Sequence, residues 1–136
     1  METNQISKGR LWTSRVLSGL AILFMLSDSI FKFFPPDEVV KGTTDLGYGE
    51  HHLLPIGILG FVSTLLYIIP RTSVLGALLL TGYFGGAMAT HFRLDNPLFS
   101  HILFPVYLAL LIWGGLWLRN ENLRKLVPLK NDKVRA

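Results

Sequence analysis

The stretch that decides the fold is 53-LLPIGILGFVSTLLYIIP-70, which continues directly into 71-RTSVLGALLLTGYFGGAMATHFR-93. Each half contains an apolar run about as long as a helix needs to cross the ~30 Å hydrocarbon core of a bilayer. Pro70 separates the two runs, because proline cannot continue a helix. Neither run alternates apolar and polar residues, as the strands of a membrane barrel do. The stretch therefore predicts two membrane-spanning helices, over about 53–69 and 73–90, joined by a tight turn.

Two further apolar runs flank this hairpin. VLSGLAILFMLSDSIFKFF covers about 16–34 and stops at a Pro-Pro pair, and ILFPVYLALLIWGGLWL covers about 102–118. Hydrophobic residues make up 50% of the 136-residue chain and charged residues only 16%. A soluble domain this small needs more polar surface than that. We predict an all-α bundle of four transmembrane helices, forming one membrane domain over 1–136 with a basic tail over 119–136.

Charge asymmetry predicts how this bundle is oriented. Of the 13 Lys and Arg residues, ten fall on the side of the termini: Lys8, Arg10, Arg15, Arg71, Arg119, Arg124, Lys125, Lys130, Lys133 and Arg135. The other side holds Lys32, Lys41 and Arg93. Because cytoplasmic loops carry the basic excess, both termini are predicted to be cytoplasmic in an inner or plasma membrane. The net charge of +4 is thus attributed to topology and lipid contact, and no nucleic-acid partner is expected.

Small residues mark the third predicted span. Gly82 and Gly86 form a GxxxG pair, and small faces let helices approach closely in lipid. The favoured interpretation is packing within the bundle, and a homodimer seam is the alternative.

Unusual polar residues collect at one predicted depth. At ~1.5 Å per residue, all four histidines (His51, His52, His91 and His101) lie about 27–32 Å from the basic turns, at the outer level. Asp28 and Lys32 are spaced i,i+4 on one face of the first span, where they can pair. Charges inside a span almost always point into the bundle or a wet cavity, which predicts a face turned towards the histidines. The alternative is that Lys32 snorkels to the headgroups and Asp28 only neutralises it.

The candidate ligand-binding cluster is therefore Asp28, Lys32, Glu50, His91, Arg93 and His101. A metal site is the weaker interpretation, with His51, His52, His91 and His101 as its candidates. No His-x-x-x-His or Glu-x-x-His pair occurs on one helix, so the ligands would have to come from different helices. The chain has no cysteine, which excludes thiolate ligands and thiol redox motifs.

The chain resembles the DoxX-like family of small four-helix membrane proteins from about residue 18 to 128. The resemblance rests on Asp28 with Lys32, on LGY at 46–48, on the block from Tyr67 to Arg93, and on NPLFSHILFPVYLALLIWGGLWLR at 96–119. Gly49 departs from the proline that such sequences often have.

The resemblance implies a fold more firmly than an activity, since the family takes its name from a subunit associated with a thiosulfate:quinone oxidoreductase. The favoured hypothesis is an accessory or small-molecule-binding membrane protein with a redox connection, motivated by the one-sided polar cluster in a bundle without cysteine. A quinone or similar amphiphile would bind near the outer leaflet, and a membrane oxidoreductase is a candidate partner. His91, His101 and Arg93 would hydrogen-bond this ligand over a polar floor of Asp28 and Lys32. Two alternatives stay open: a carrier for a small solute or for protons, and a structural or assembly subunit of a membrane complex.

Overall fold

The structure is a computed structural model that describes residues 6–127. Six α-helices follow one another: α1 Lys8–Phe33, α2 Asp37–Asp45, α3 Leu53–Ile68, α4 Ser73–Arg93, α5 Phe104–Arg119 and α6 Glu121–Leu126. Short 3₁₀ turns, Glu50–His52 and Pro70–Thr72, lead into α3 and α4, and a π-helical turn, Leu98–Ile102, leads into α5. No strand occurs within 6–127, so the predicted all-α fold class is confirmed.

Four helical segments are long and apolar enough to cross a membrane: Lys8–Phe33, Glu50–Ile68, Pro70–Arg93 and Leu98–Arg119. They match the four predicted spans, of which the first two end one residue later in the prediction than in the structure, and this confirms a multi-pass membrane protein. Helix α1 begins about two turns before the predicted start, because Ser7 Oγ accepts a hydrogen bond from Arg10 N at 3.2 Å and caps it there. Hydropathy detects only the part of a helix that lies in hydrocarbon, whereas the first two turns of α1 are polar.

Helices α2 and α6 were not predicted. The N-cap of α2 is Pro36, and Asp37 and Glu38 occupy its first turn, where carboxylates stabilise a helix N-terminus. In α2, Lys41 donates a 2.9 Å hydrogen bond to Asp45, which raises the pKa of the lysine ammonium. Helix α6 lies within the predicted basic tail, of which residues 128–136 are outside the described part of the chain.

The spans form a square in which α1 and α4 each pack against both α3 and α5. One end of the square carries Glu50, His51, His52, His91 and His101, and we call it the histidine end. The opposite end carries Arg15, Arg71 and Arg119, and we call it the basic end. The core between them is formed by Ala21, Met25, Tyr67, Ala77, Leu80, Phe84, Leu108, Ile112 and Leu116.

Glycines set how closely these helices approach. A Cβ built on Gly76 would lie 2.6 Å from Tyr67 Cα and 2.7 Å from Leu66 C, so α3 and α4 touch backbone to backbone there. Gly57, Gly60 and Gly115 also face neighbouring helices. A Cβ added to Gly82 or Gly86, in contrast, would have no heavy atom of a neighbouring described element within 4 Å. The prediction that this GxxxG pair packs within the bundle is therefore wrong.

A buried network of hydrogen bonds links α1, α3 and α5 at the basic end. The Tyr67 hydroxyl donates to Ile112 O at 2.7 Å, which bridges the α3–α5 diagonal, and Ser18 Oγ lies 2.7 Å from the same hydroxyl. Ser14 Oγ donates to Gly115 O at 2.7 Å. Arg119 Nη1 donates to Ser18 Oγ at 2.5 Å. Each of these hydroxyls is therefore hydrogen-bonded inside the bundle, as burial in an apolar environment requires.

The predicted orientation of the termini has a direct test, because the chain has no native cysteine. Lys41 on α2 and Lys125 on α6 lie at opposite ends of the bundle and have side chains that are 77% and 70% exposed. In intact cells, a membrane-impermeant maleimide is expected to label Lys41→Cys and to leave Lys125→Cys unlabelled until the membrane is permeabilised. The reverse pattern would place the termini outside.

Candidate functional site

A cavity of about 530 Å³ lies at the histidine end, enclosed by α1, α3, α4, α5 and the end of α2. This volume falls in the range of small-molecule sites. Four of the six candidate ligand-binding residues line it: Asp28, Lys32, His91 and His101. They come from α1, from α4 and from the π-helical turn before α5, so only the tertiary fold brings them together.

The wall formed by α1 is charged and strongly hydrogen-bonded. Lys32 Nζ donates to Asp28 Oδ2 at 2.5 Å, and the two side chains are only 16% and 29% exposed. The Tyr83 hydroxyl of α4 donates to the same oxygen at 3.1 Å, across the α1–α4 diagonal. Both donors stabilise the ionised carboxylate. The i,i+4 pairing predicted from the sequence is present, and it points into the cavity rather than away from the bundle.

The two histidines of the cavity face each other. The ring centroids of His91 and His101 are 5.5 Å apart, with the rings at 73°. Asn96 Nδ2 lies 2.8 Å from His91 Nδ1, and Ser100 Oγ lies 2.7 Å from His101 Nδ1. When Asn96 donates to Nδ1, the neutral His91 ring carries its proton on Nε2, because one ring nitrogen accepts while the other donates. Each ring is thus held at Nδ1, and its Nε2 has no partner among the described side chains.

Apolar side chains of the lining reach the surface that faces lipid. Phe24 is 40% exposed, Leu59 62% and Phe104 39%, and all three line the cavity. Phe24 and Phe104 pack edge to face with centroids 5.1 Å apart. The site therefore combines polar side chains from α1, α4 and the π-helical turn with lipid-facing apolar side chains from α1, α3 and α5, which an amphiphile in the bilayer would meet first.

The sequence analysis missed five hydroxyl-bearing residues of the cavity lining: Thr43, Tyr48, Tyr83, Thr90 and Ser100. The Tyr48 hydroxyl lies 2.8 Å from Thr90 Oγ1 and holds the segment after α2 over the cavity. A signal was present, because Tyr83 and Thr90 are seven residues apart on an apolar helix and therefore share a face.

The structure does not bring the other candidates into the cavity lining. Arg93 Nη2 donates to Leu46 O at 2.9 Å and so braces the loop after α2. Glu50, His51 and His52 are exposed on the 3₁₀ turn before α3. The rings of His51 and His52 have centroids 4.0 Å apart and are tilted at 43°, and His52 Nδ1 accepts from Gly49 N at 3.0 Å. Among residues 6–127, no three His, Asp or Glu side chains converge in a way that could hold a metal ion.

A family model described as the DoxX-like family matches residues 16–115, well over half of the chain. The chain belongs to the DoxX-like family. The matched segment contains every candidate residue of the cavity, from Asp28 to His101, and ends before the network residue Arg119. No match was found among curated proteins or among solved structures.

Proposed function

We propose that this DoxX-like protein binds a small amphiphile of the quinone type in the histidine-end cavity and serves as a redox-linked accessory protein of the membrane. A quinone carries carbonyl oxygens that accept hydrogen bonds on an apolar body that dissolves in the bilayer. The observation that supports the proposal is one cavity whose lining contains both hydrogen-bond donors and lipid-facing apolar side chains. Lys32, whose ammonium has N–H groups beyond the one that Asp28 accepts, and the two imidazoles are the donors.

The histidines give the site a further capacity. Reduction of a quinone to a quinol consumes two electrons and two protons, and an imidazole can deliver a proton near neutral pH. His91 and His101 each keep Nε2 free of described protein partners, and in the tautomer that carries its proton on Nε2 each ring can donate to a carbonyl oxygen. The electrons would come from a membrane oxidoreductase partner, which is the partner that the family resemblance implies.

The geometry favours binding over carriage of a solute. Met25, Phe84 and Leu108 line the inner limit of the cavity and belong to the packed core. Below them, Ala21, Leu80 and Ile112 are at most 1% exposed. A carrier would have to open this packed layer, whereas a bound amphiphile needs no such movement.

The test is to measure, by calorimetry, the binding of a short-tailed ubiquinone to the purified protein in lipid nanodiscs. Wild type is expected to bind it, and His101→Phe is expected to weaken binding about three- to tenfold, the effect of losing one hydrogen bond. The matched control is His51→Phe, since His51 is exposed on the 3₁₀ turn before α3 and does not line the cavity.

Absence of binding to wild type, or equal weakening by His101→Phe and His51→Phe, would contradict the proposal. The first of these results, together with a stoichiometric protein partner that co-purifies, would favour the assembly-subunit alternative. Unchanged function of His91→Ala in cells would remove the histidines from the proposal.

A further inference from the structure

A second cavity, of about 510 Å³, lies at the basic end between α1, α3, α5 and the start of α6. Its polar lining includes Arg15, Ser18, Tyr67, Arg119, Asn120 and Glu121. It is separated from the histidine-end cavity by the packed core and shares no lining residue with it.

Arg119 keeps most of its hydrogen-bonding capacity unused. Its guanidinium lies over the Tyr67 ring, 5.3 Å from the centroid, and only Nη1 donates within the described chain, to Ser18 and Ser14. A guanidinium has five N–H donors, so those on Nε and Nη2 remain for a ligand. No carboxylate within residues 6–127 forms an ion pair with it.

The other charges of the cavity also favour an anionic ligand. The side chain of Arg15 makes no hydrogen bond and no ion pair with any described residue, although it lines the same cavity. Glu121 brings one negative charge, and its carboxylate lies 3.5 Å from Lys125 Nζ on the exposed side of α6. The cavity therefore has a net positive charge. Neither Arg15 nor Arg119 is paired with a described carboxylate, and the single anion, Glu121, is partly neutralised by Lys125.

The surroundings place the cavity at headgroup depth. Trp12, one turn before Arg15, is 69% exposed, and Trp117 lies at the same end on α5. Tryptophans gather where hydrocarbon meets the lipid headgroups. Deeper in the bundle than the arginines, Ile22 and Ile68 line the cavity, and Ile68 is 43% exposed on the lipid-facing surface.

We propose that this cavity binds the phosphate of an anionic phospholipid. Arg119 and Arg15 hold the phosphate oxygens, Asn120 Nδ2 adds a donor, and one acyl chain runs along Ile22 and Ile68. Arginine is suited to this because its planar fork matches the geometry of a phosphate. The apolar wall distinguishes a lipid from free phosphate, since a free ion would leave that wall in contact with water.

The test is native mass spectrometry of the protein released from vesicles of phosphatidylglycerol and phosphatidylcholine. Wild type is expected to retain one phosphatidylglycerol in preference to phosphatidylcholine. Arg15→Gln is expected to reduce this retention about fivefold, the effect of removing one basic residue at the headgroups. Arg15 has no described partner, so its replacement leaves the helix packing intact.

Arg71→Gln is the matched control, because Arg71 is exposed at the same end and does not line the cavity. Equal loss of lipid in Arg15→Gln and Arg71→Gln would show general charge attraction and overturn the proposal, as would retention without preference for phosphatidylglycerol. Displacement of the lipid by millimolar inorganic phosphate would assign the site to the free ion and overturn the lipid assignment. Arg119→Gln, if it folds, is expected to lose the lipid as Arg15→Gln does.

Discussion

Replacement of Gly76 by alanine is expected to lower the free energy of unfolding by about 3 kcal/mol, the upper range for overpacking a well-packed site. The added Cβ would lie 2.6 Å from Tyr67 Cα and 2.7 Å from Leu66 C, and these are backbone atoms that cannot rotate away. Helices α3 and α4 must therefore separate along their length. The measurement is SDS-driven unfolding of the purified protein in mixed micelles, followed by loss of helical circular dichroism.

Gly82→Ala is the matched control in the same helix. A Cβ at Gly82 meets no heavy atom within 4 Å, so alanine adds only its higher helix propensity, up to about 1 kcal/mol. The two substitutions are thus expected to change the unfolding midpoint in opposite directions or to leave the Gly82 variant unchanged. Equal destabilisation would mean that the backbone contact at Gly76 does not set the α3–α4 distance.

The contrast between Gly76 and Gly82 shows that helix packing could not be predicted from the sequence, although the spans could. The four spans and the turn at Pro70 were predictable, because length in an apolar medium and the chemistry of proline fix them. Gly76 and Gly82 are six residues apart in one helix, and composition does not separate them. In water a polar stripe would show which face is outside, but in lipid both faces of a span are apolar, so its rotation is set by packing.

The same limit explains the site. Depth along a helix is readable from the rise per residue, and so the histidines were correctly placed at one level. Which side chains share a cavity depends on the rotation of each helix about its axis, and Lys32 and Arg93 differ in this respect. Lys32 lines the cavity, whereas Arg93 donates to the carbonyl of Leu46. The pairing of Asp28 with Lys32 could be predicted, because i,i+4 spacing places both side chains on the same face whatever the rotation of the helix.

Asp28→Asn is expected to lower the free energy of unfolding by about 3 kcal/mol, because it leaves the Lys32 ammonium without its counter-charge inside the bundle. The double variant Asp28→Asn/Lys32→Met is expected to recover at least half of that loss, since removing both charges also removes the cost of keeping one unpaired. The measurement is the same SDS titration, run on wild type, both single variants and the double variant as a cycle.

The chain contains its own control for this pair. Lys41 and Asp45 on α2 have the same i,i+4 spacing and an N–O distance of 2.9 Å, but their side chains are 77% and 62% exposed, against 16% and 29% for Lys32 and Asp28. Asp45→Asn is therefore expected to cost less than about 0.5 kcal/mol. If Asp28→Asn costs as little, or if the double variant recovers nothing, Lys32 reaches the headgroups by itself and the polar wall of the cavity does not depend on the pair. A double variant at least as stable as wild type would instead mean that the bundle holds the two charges at a net cost in stability, which is the expected mark of a site kept for binding rather than for stability.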